Sequence, residues 1–466
     1  MEKFFKVKEH GSTVKTEVLA GLTTFMAMAY ILMVNAGMFA ELGTVSYNAI
    51  YIATAISAVI GTVLIGLLAN LPLAQASGMG LNAFFVYTVC FGFGLSYANA
   101  LVLILLDGIV FIILTVTGLR KKIFEAIPNN VRVAIPAGIG LFIAFIGLQN
   151  AGIVVNDPAT CVNLVSMNLF SGAATWASLM PIFVTIGTLI VIAVMSAKGV
   201  KGSVLWGIIV GAVAYYVLGF TVPGFYDGFA ASLSFNPFVA FADFGSQAFG
   251  KVFTEGFDFS AYLAAGHTTT ELTILIITSA LAFCLVDMFD TIGTLYGACA
   301  RGNILTEDGE VPNMDKAMLA DAIATTTGAI CGTSTVTTFV ESSAGVAEGG
   351  RTGLSAIVTG ALFFIAMFLS PIAALIPGCA TAAALIYVGV LMMNCVKNIE
   401  WTDASQAVPA FMTMAIMPLT YNISYGIAFG VISSLLIAAF AGKKKEIKGG
   451  TIVIALLFAV MFFVTH

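Results

Sequence analysis

Apolar residues run along this chain in blocks of membrane-spanning length, with short polar punctuation between them. The blocks fall near 17–36, 48–69, 75–93, 97–118, 131–151, 178–197 and 203–221. A second set falls near 271–297, 315–331, 335–348, 353–373, 379–396, 405–420 and 423–441. Inside a bilayer such runs satisfy their own backbone groups as helices, so the pattern predicts an all-α polytopic membrane protein of about fourteen segments. A long acidic stretch separates the two sets. It sets the expected boundaries: a first repeat at 1–221, an extracellular connector at 222–270, a second repeat at 271–441, and a basic loop with an apolar tail at 442–466. Each half holds an odd number of segments, so a second copy of the unit enters the membrane upside down, as in many secondary transporters. The tail, 451–465, is short for a crossing and reads as an interfacial helix or a short extra span.

The third segment of each half breaks the pattern. NLPLAQASGMGLNAFFVYTV (70–89) and CGTSTVTTFVESSAGVAEGGRTG (331–353) are rich in Gly, Ser and Thr. The β-branched run in the second suits extended backbone better than helix. Glycine-interrupted segments at matching places in two halves point to broken helices around a mid-membrane site. Close packing through small residues would explain the glycines, but not Asn82 or Glu341.

Composition narrows the class. The chain is 59% hydrophobic and 9% charged, with a mean hydropathy of +1.03, which excludes an ordinary soluble domain. With the N-terminus in the cytoplasm, every one of the 19 lysines and arginines except Lys251 falls at or beside the cytoplasmic side. A multi-pass protein of the cell membrane is therefore expected. The opening MEKFFKVKEHGSTVKTE is too polar for a cleavable signal peptide. The seven cysteines are scattered without a CxxC pair, and no Walker loop or HExxH motif occurs. No cofactor, metal, nucleic-acid partner or enzymatic activity is expected.

Three carboxylates sit where the bilayer disfavours them: Asp287 and Asp290 in LVDMFDTIGTL, and Glu341 in TTFVESSAG. Asp287 and Asp290 are three apart and share a helical face, so in low dielectric at least one is expected to hold a proton at neutral pH. Packing carboxylates neutralised by neighbouring helices are the plainer alternative. Asn82 and Glu341 sit in the two broken segments, where half-helix N-termini add N–H donors to the same cavity. Such a pocket suits a flat, neutral, polar heterocycle. It suits an inorganic anion poorly, because no Lys or Arg lies in the membrane interior. The histidines, His10, His267 and His466, lie outside the spans, so proton coupling falls to carboxylates. Asp107 reads as structural and Asp321 as a partner behind the site, while Glu348 and Arg351 read as an ion pair at the cytoplasmic edge.

The stretches TFMAMAYILMVN (24–35), GMGLNAFF (78–85), LVDMFDTIGTL (285–295) and VTTFVESSAGVAEGGRTGL (336–354) resemble the AzgA-like purine permeases. These are nucleobase transporters that share a fold with uracil and xanthine permeases. The resemblance covers essentially the whole chain. It implies a core domain of segments 1–4 and 8–11, a gate domain of segments 5–7 and 12–14, short strands in segments 3 and 10, and an elevator mechanism. It also implies proton-coupled import of guanine, hypoxanthine or adenine, and a homodimer is expected. By motif position, Asn82, Asp287 and Glu341 would line the purine site, with Gly80, Leu81 and Val340 supplying backbone or apolar contacts. Asp290, with Asp287 and Glu341, would couple the proton. Another neutral heterocycle (xanthine or uracil) and an anion exchanger or channel on the same fold are the competing readings. The uracil branch carries a histidine near the eighth-segment site, and this chain does not.

Overall fold

The computed structural model describes residues 2–119, 126–227, 236–443 and 447–464. Arg120, Lys121, Lys122, Lys444 and Lys445, counted above among the cytoplasmic basic residues, lie outside the described residues. Among the described residues, nine helices are long and apolar enough to cross a membrane. They include Val14–Ala40, Tyr47–Leu68, Tyr97–Val116, Asn129–Asn150 and Thr269–Arg301. Their ends follow local chemistry. Ser46 caps the helix at Tyr47 by accepting from the Ala49 N–H, and a Thr268–Glu271 capping box opens the 33-residue helix to Arg301.

The third segment of each half departs from helix, as its composition predicts. Gln75–Ser77 forms strand β1 and Val336–Thr338 forms strand β4, both wholly buried. They pair antiparallel in the register Gln75↔Thr338, Ala76↔Thr337 and Ser77↔Val336. The main chain extends this pairing at both ends, from Gly78 N to Thr335 O (2.9 Å) and from Phe339 N to Ala74 O (3.0 Å). Extended backbone survives at this depth because each strand satisfies the other. Short helices follow each strand, Met79–Ala83 and Ser342–Ala347, the first continuing as a π-helical stretch at Phe84–Gly92. Within the first half, between the helices Asn129–Asn150 and Trp176–Ala197, lie β2 (Val154–Asp157) and β3 (Cys161–Leu164), a largely exposed hairpin.

The helices gather into two packed bodies. In the first, Val14–Ala40, Tyr47–Leu68, Tyr97–Val116, Met314–Cys331 and Gly353–Ala366 surround the β1–β4 pair, with Thr269–Arg301 along one flank. In the second, Asn129–Asn150 packs on Gly378–Met392, Ala404–Thr420 and Ile423–Phe440, and Trp176–Ala197 packs on Ser203–Gly219. The tail forms a helix, Gly449–Val464, which buries Phe458 and Met461 against the core and sets Phe462 beside Tyr425 and Phe429.

One expectation is corrected. Glu348 does not pair with Arg351; it pairs with Lys201 at 2.5 Å. The Arg351 guanidinium instead donates to the carbonyls of Val346 and Gly350, both at 2.7 Å. The arginine thus adds a side-chain donor to the Val346 carbonyl, which the Gly349 N–H also reaches at 3.1 Å just past the end of Ser342–Ala347, and Glu348 is left to a cation on the other body.

Candidate functional site

The crossing of β1 and β4 organises the site. Because β-branched residues alternate along β4, their hydroxyls project to both sides of the strand and meet polar groups from several helices. Gln75 Nε2 donates to Asp321 Oδ1 (2.9 Å) and Thr338 Oγ1 (3.1 Å). Thr291 Oγ1 donates to Asp321 Oδ2 (2.9 Å) and lies 2.7 Å from Thr337 Oγ1. Thr325 Oγ1 lies 3.2 Å from Asp287 Oδ2, and Thr335 Oγ1 donates to Asp107 Oδ2 at 3.1 Å. Asp107, Asp287 and Asp321 are all fully buried.

Asn82 is also fully buried. Its Oδ1 accepts from the Ser77 hydroxyl (2.7 Å) and from the Ser334 hydroxyl, and its Nδ2 faces the Ser77 carbonyl at 3.4 Å. That carbonyl only accepts, which fixes which end of the amide is nitrogen. Asn82 thus fastens the two broken segments together. Leu81 is buried beside it, and Gly80 lies against the second body, where an added Cβ would stand 2.4 Å from Ile139 Cγ2.

Glu341 and Asp290 face a different space. Both are partly exposed, and Val340 beside them is 51% exposed. Each of the two carboxylates is a charged neighbour of the other. Tyr30 donates to Glu341 Oε1 at 2.6 Å. Along Thr269–Arg301, the face of Asp290 continues through Gly293 and Gly297, both exposed with open space where a side chain would be. An exposed strip of this helix therefore runs from the carboxylate pair toward the Arg301 end.

The structure thus brings Glu341, Asp290 and Val340 to one open surface. It sets Asp287, Asn82, Gly80 and Leu81 behind them. The two carboxylates expected to act as a pair occupy different surroundings: the charged neighbours of Asp287 are Asp321 and Asp107, and those of Asp290 are Glu341 and Asp321. Among the ion pairs formed by described residues, none involves any of these five acids. Sequence reasoning missed Tyr30, Gln75 and the threonines Thr291 and Thr325. The hydroxyl-rich run TSTVTT signalled the strand and its polar surroundings, whereas Tyr30 looks like any apolar aromatic in its segment.

A membrane-embedded polar site at the crossing of two broken segments defines a transporter. Residues 15–429 match the Permease family, and the chain belongs to it. It is 39% identical to the guanine/hypoxanthine permease PbuO of Bacillus subtilis (strain 168), over 99% of this chain and all of that protein. To the adenine permease AdeP of Escherichia coli (strain K12) it is 36% identical, over 98% of this chain and 95% of that one. The transmembrane domain of the cyanobacterial bicarbonate transporter BicA has the same fold, with a TM-score of 0.61 over 90% of this chain and 97% of that one at 14% identity. The chain is a multi-pass membrane permease and not an enzyme.

Proposed function

We propose that this permease imports purine nucleobases, guanine, hypoxanthine or adenine, in symport with protons. The observation that carries the reading is the partly exposed Glu341–Asp290 pair where the segment of β4 breaks. Two carboxylates without a cation accept N–H donors, and the edge of a neutral purine offers several in one plane. The names of the relatives at 36–39% identity point to the same substrates. An anion such as the BicA substrate would meet acidic groups and no basic one, so that reading is set aside.

In this reading the first helical body is the core that carries the base and the second is the gate. The repeats 1–221 and 271–441 are inverted, 222–270 lies outside, and the N-terminus and the Arg301 end face the cytoplasm. Glu341 holds the base with Asp290, Val340 lies against its ring, and Asn82 and Asp287 support this surface from behind. The test is uptake of radiolabelled hypoxanthine by cells expressing the protein, with each unlabelled nucleobase as competitor and with a protonophore. Competition by guanine and adenine but not uracil, and collapse on adding the protonophore, is the expected result. Uptake driven by a sodium gradient alone would overturn the coupling.

A further inference from the structure

Glu41 follows the helix Tyr30–Ala40 and Tyr87 lies in the π-helical stretch Phe84–Gly92, both on the first body, while Asn150 ends Asn129–Asn150 on the second. The three side chains close a ring of hydrogen bonds. Asn150 Nδ2 donates to Glu41 Oε1 (2.9 Å) and to the Tyr87 hydroxyl (3.0 Å), and that hydroxyl donates to Glu41 Oε2 (2.9 Å). A carboxylate only accepts, so it fixes the direction of every bond. The single tyrosine hydrogen goes to Glu41, and both amide hydrogens cross between the bodies.

A second contact lies beside the ring. The Thr88 hydroxyl donates to the carbonyl of Tyr421, just past Ala404–Thr420 on the second body. Tyr421 has φ 54°, a left-handed backbone that a bulky residue adopts only where its surroundings hold it there. Its ring rests among Tyr87 (6.0 Å between centroids), Phe142 (5.7 Å) and Phe145 (5.5 Å). Hydrogen bonds, aromatic contacts and a strained residue thus concentrate on one seam, where the chain enters the β2–β3 hairpin.

Open space lies against this seam. Two adjoining cavities of about 420 and 360 Å³, within the ~300–1,000 Å³ of small-molecule sites, share Gly37, Gly378 and Thr381. Both lie between Tyr30–Ala40 and the start of Gly378–Met392. The smaller is bounded by Glu41 and Asn150, and Val34, only 2% exposed, lines its wall. Tyr30, Val34, Gly37 and Glu41 have the spacing of one helical face, so the face that begins at the Tyr30–Glu341 bond ends at the ring.

We propose that Glu41, Tyr87 and Asn150 are a gate of the permease, holding its two bodies together at the hairpin end. In the orientation proposed above this is the outer gate. The base passes from that side along the Val34–Gly37 face to Glu341 only when the ring opens. Glu41 is then a positioning residue for transport, acting on the bodies rather than on the base.

This rests on the transport reading above, and its main test needs neither base nor proton gradient. The reporter is Val34→Cys in a Cys161→Ser, Cys395→Ser background, which removes the exposed and the intermediate native cysteine. A polar maleimide labels the purified protein at a rate proportional to the population in which the ring is open. At alkaline pH, Asn150→Asp sets a second carboxylate against Glu41 and removes both bonds across the bodies, so labelling rises about tenfold or more. Asn150 is exposed, so this change leaves the packing intact. Adding Glu41→Gln supplies an amide donor to the new carboxylate and returns labelling to within about threefold of the parent. Loosening of the fold alone would not be reversed by the second substitution. A rate that does not move in Asn150→Asp would overturn the inference, as would a rise that Glu41→Gln leaves in place. Hypoxanthine uptake follows the same order, falling in Asn150→Asp and recovering in the double variant. Uptake indifferent to both changes would place the ring outside the transport cycle and refute the gate. A parent that takes up no purine refutes the substrate reading alone, because the labelling involves no base.

Discussion

Tyr30 and Glu341 are 311 residues apart, and the tyrosine hydroxyl donates a 2.6 Å hydrogen bond to the carboxylate. Tyr30 lies in the first span and Glu341 at the break of the segment that carries β4. The bond aims one carboxylate oxygen and leaves the other toward the open surface that Asp290 shares. Glu341→Ala therefore leaves donors of a bound purine unpaired, at about 1–3 kcal/mol, or about 5- to 150-fold in affinity. Glu341→Gln brings an NH2 against the substrate's own donors and is severe as well. Tyr30→Phe removes only the clamp, so its loss is about tenfold, as for one hydrogen bond of ~1.5 kcal/mol to a charged group. Equilibrium binding of hypoxanthine to the purified variants measures all three. Parental affinity in Glu341→Ala would mean that the base binds elsewhere.

Hydropathy made the helices legible, because only helix satisfies the backbone of a long apolar run in a bilayer. Strand β4 was legible as well, since TSTVTT sets β-branched residues beside small ones inside an otherwise apolar block, whereas β1 came only with the family resemblance and the β2–β3 hairpin carried no such signal. The division of labour among the acids was not legible. Asp287 and Asp290 share a helical face in sequence, yet one is fully buried in the hydroxyl cluster behind β4 and the other is partly exposed beside Glu341. Burial on a membrane helix is set by which neighbour lies on each side, and no periodicity encodes that. Likewise Glu348 and Arg351 have helical spacing for a pair, but the pairing depends on a helix ending at Ala347 and on Lys201 arriving from the other body.

Gly80 distinguishes a contact between bodies from a contact with substrate. An added Cβ at this position would stand 2.4 Å from Ile139 Cγ2, closer than real atoms approach. Gly80→Ala therefore obstructs movement of the first body past Asn129–Asn150, slowing uptake by about tenfold or more at the ~1–3 kcal/mol typical of overpacking. Ile139→Ala removes the opposing methyl, so the double variant recovers most of the rate. Uptake rates for the two single variants and the double variant decide the matter. A hypoxanthine Kd that weakens in Gly80→Ala and stays weak in the double variant would place the glycine at the base instead.

The Lys201–Glu348 pair joins the same two bodies at the end of the molecule that holds Arg351. Its side chains are 51% and 33% exposed, so it contributes under about 1 kcal/mol to stability. Its effect is on the relative motion of the bodies. Lys201→Glu sets two like charges at the contact and favours separation of the bodies there, which lowers uptake without changing the unfolding temperature measurably. The reversed pair Lys201→Glu with Glu348→Lys restores it. Uptake in the double variant no better than in Lys201→Glu alone would show that the contact does not take part in transport.

Orientation can be read from a native residue. Of the seven free cysteines only Cys161 is exposed; five are buried and Cys395 is intermediate. Cys161 lies at the turn of the β2–β3 hairpin, after the Asn129–Asn150 helix. Alternating spans from a cytoplasmic N-terminus put that hairpin outside, because the helix carries Arg132 near its start and no basic residue at its end. A membrane-impermeant maleimide should therefore label intact cells at Cys161, and Cys161→Ser should abolish the labelling. A cysteine introduced at Asn303, just beyond Arg301 at the opposite end, should react only after the membrane is opened. If Cys161 reacts only in opened cells while the Asn303 cysteine reacts in intact ones, the orientation is reversed and the Arg301 end of the long helix faces the outside.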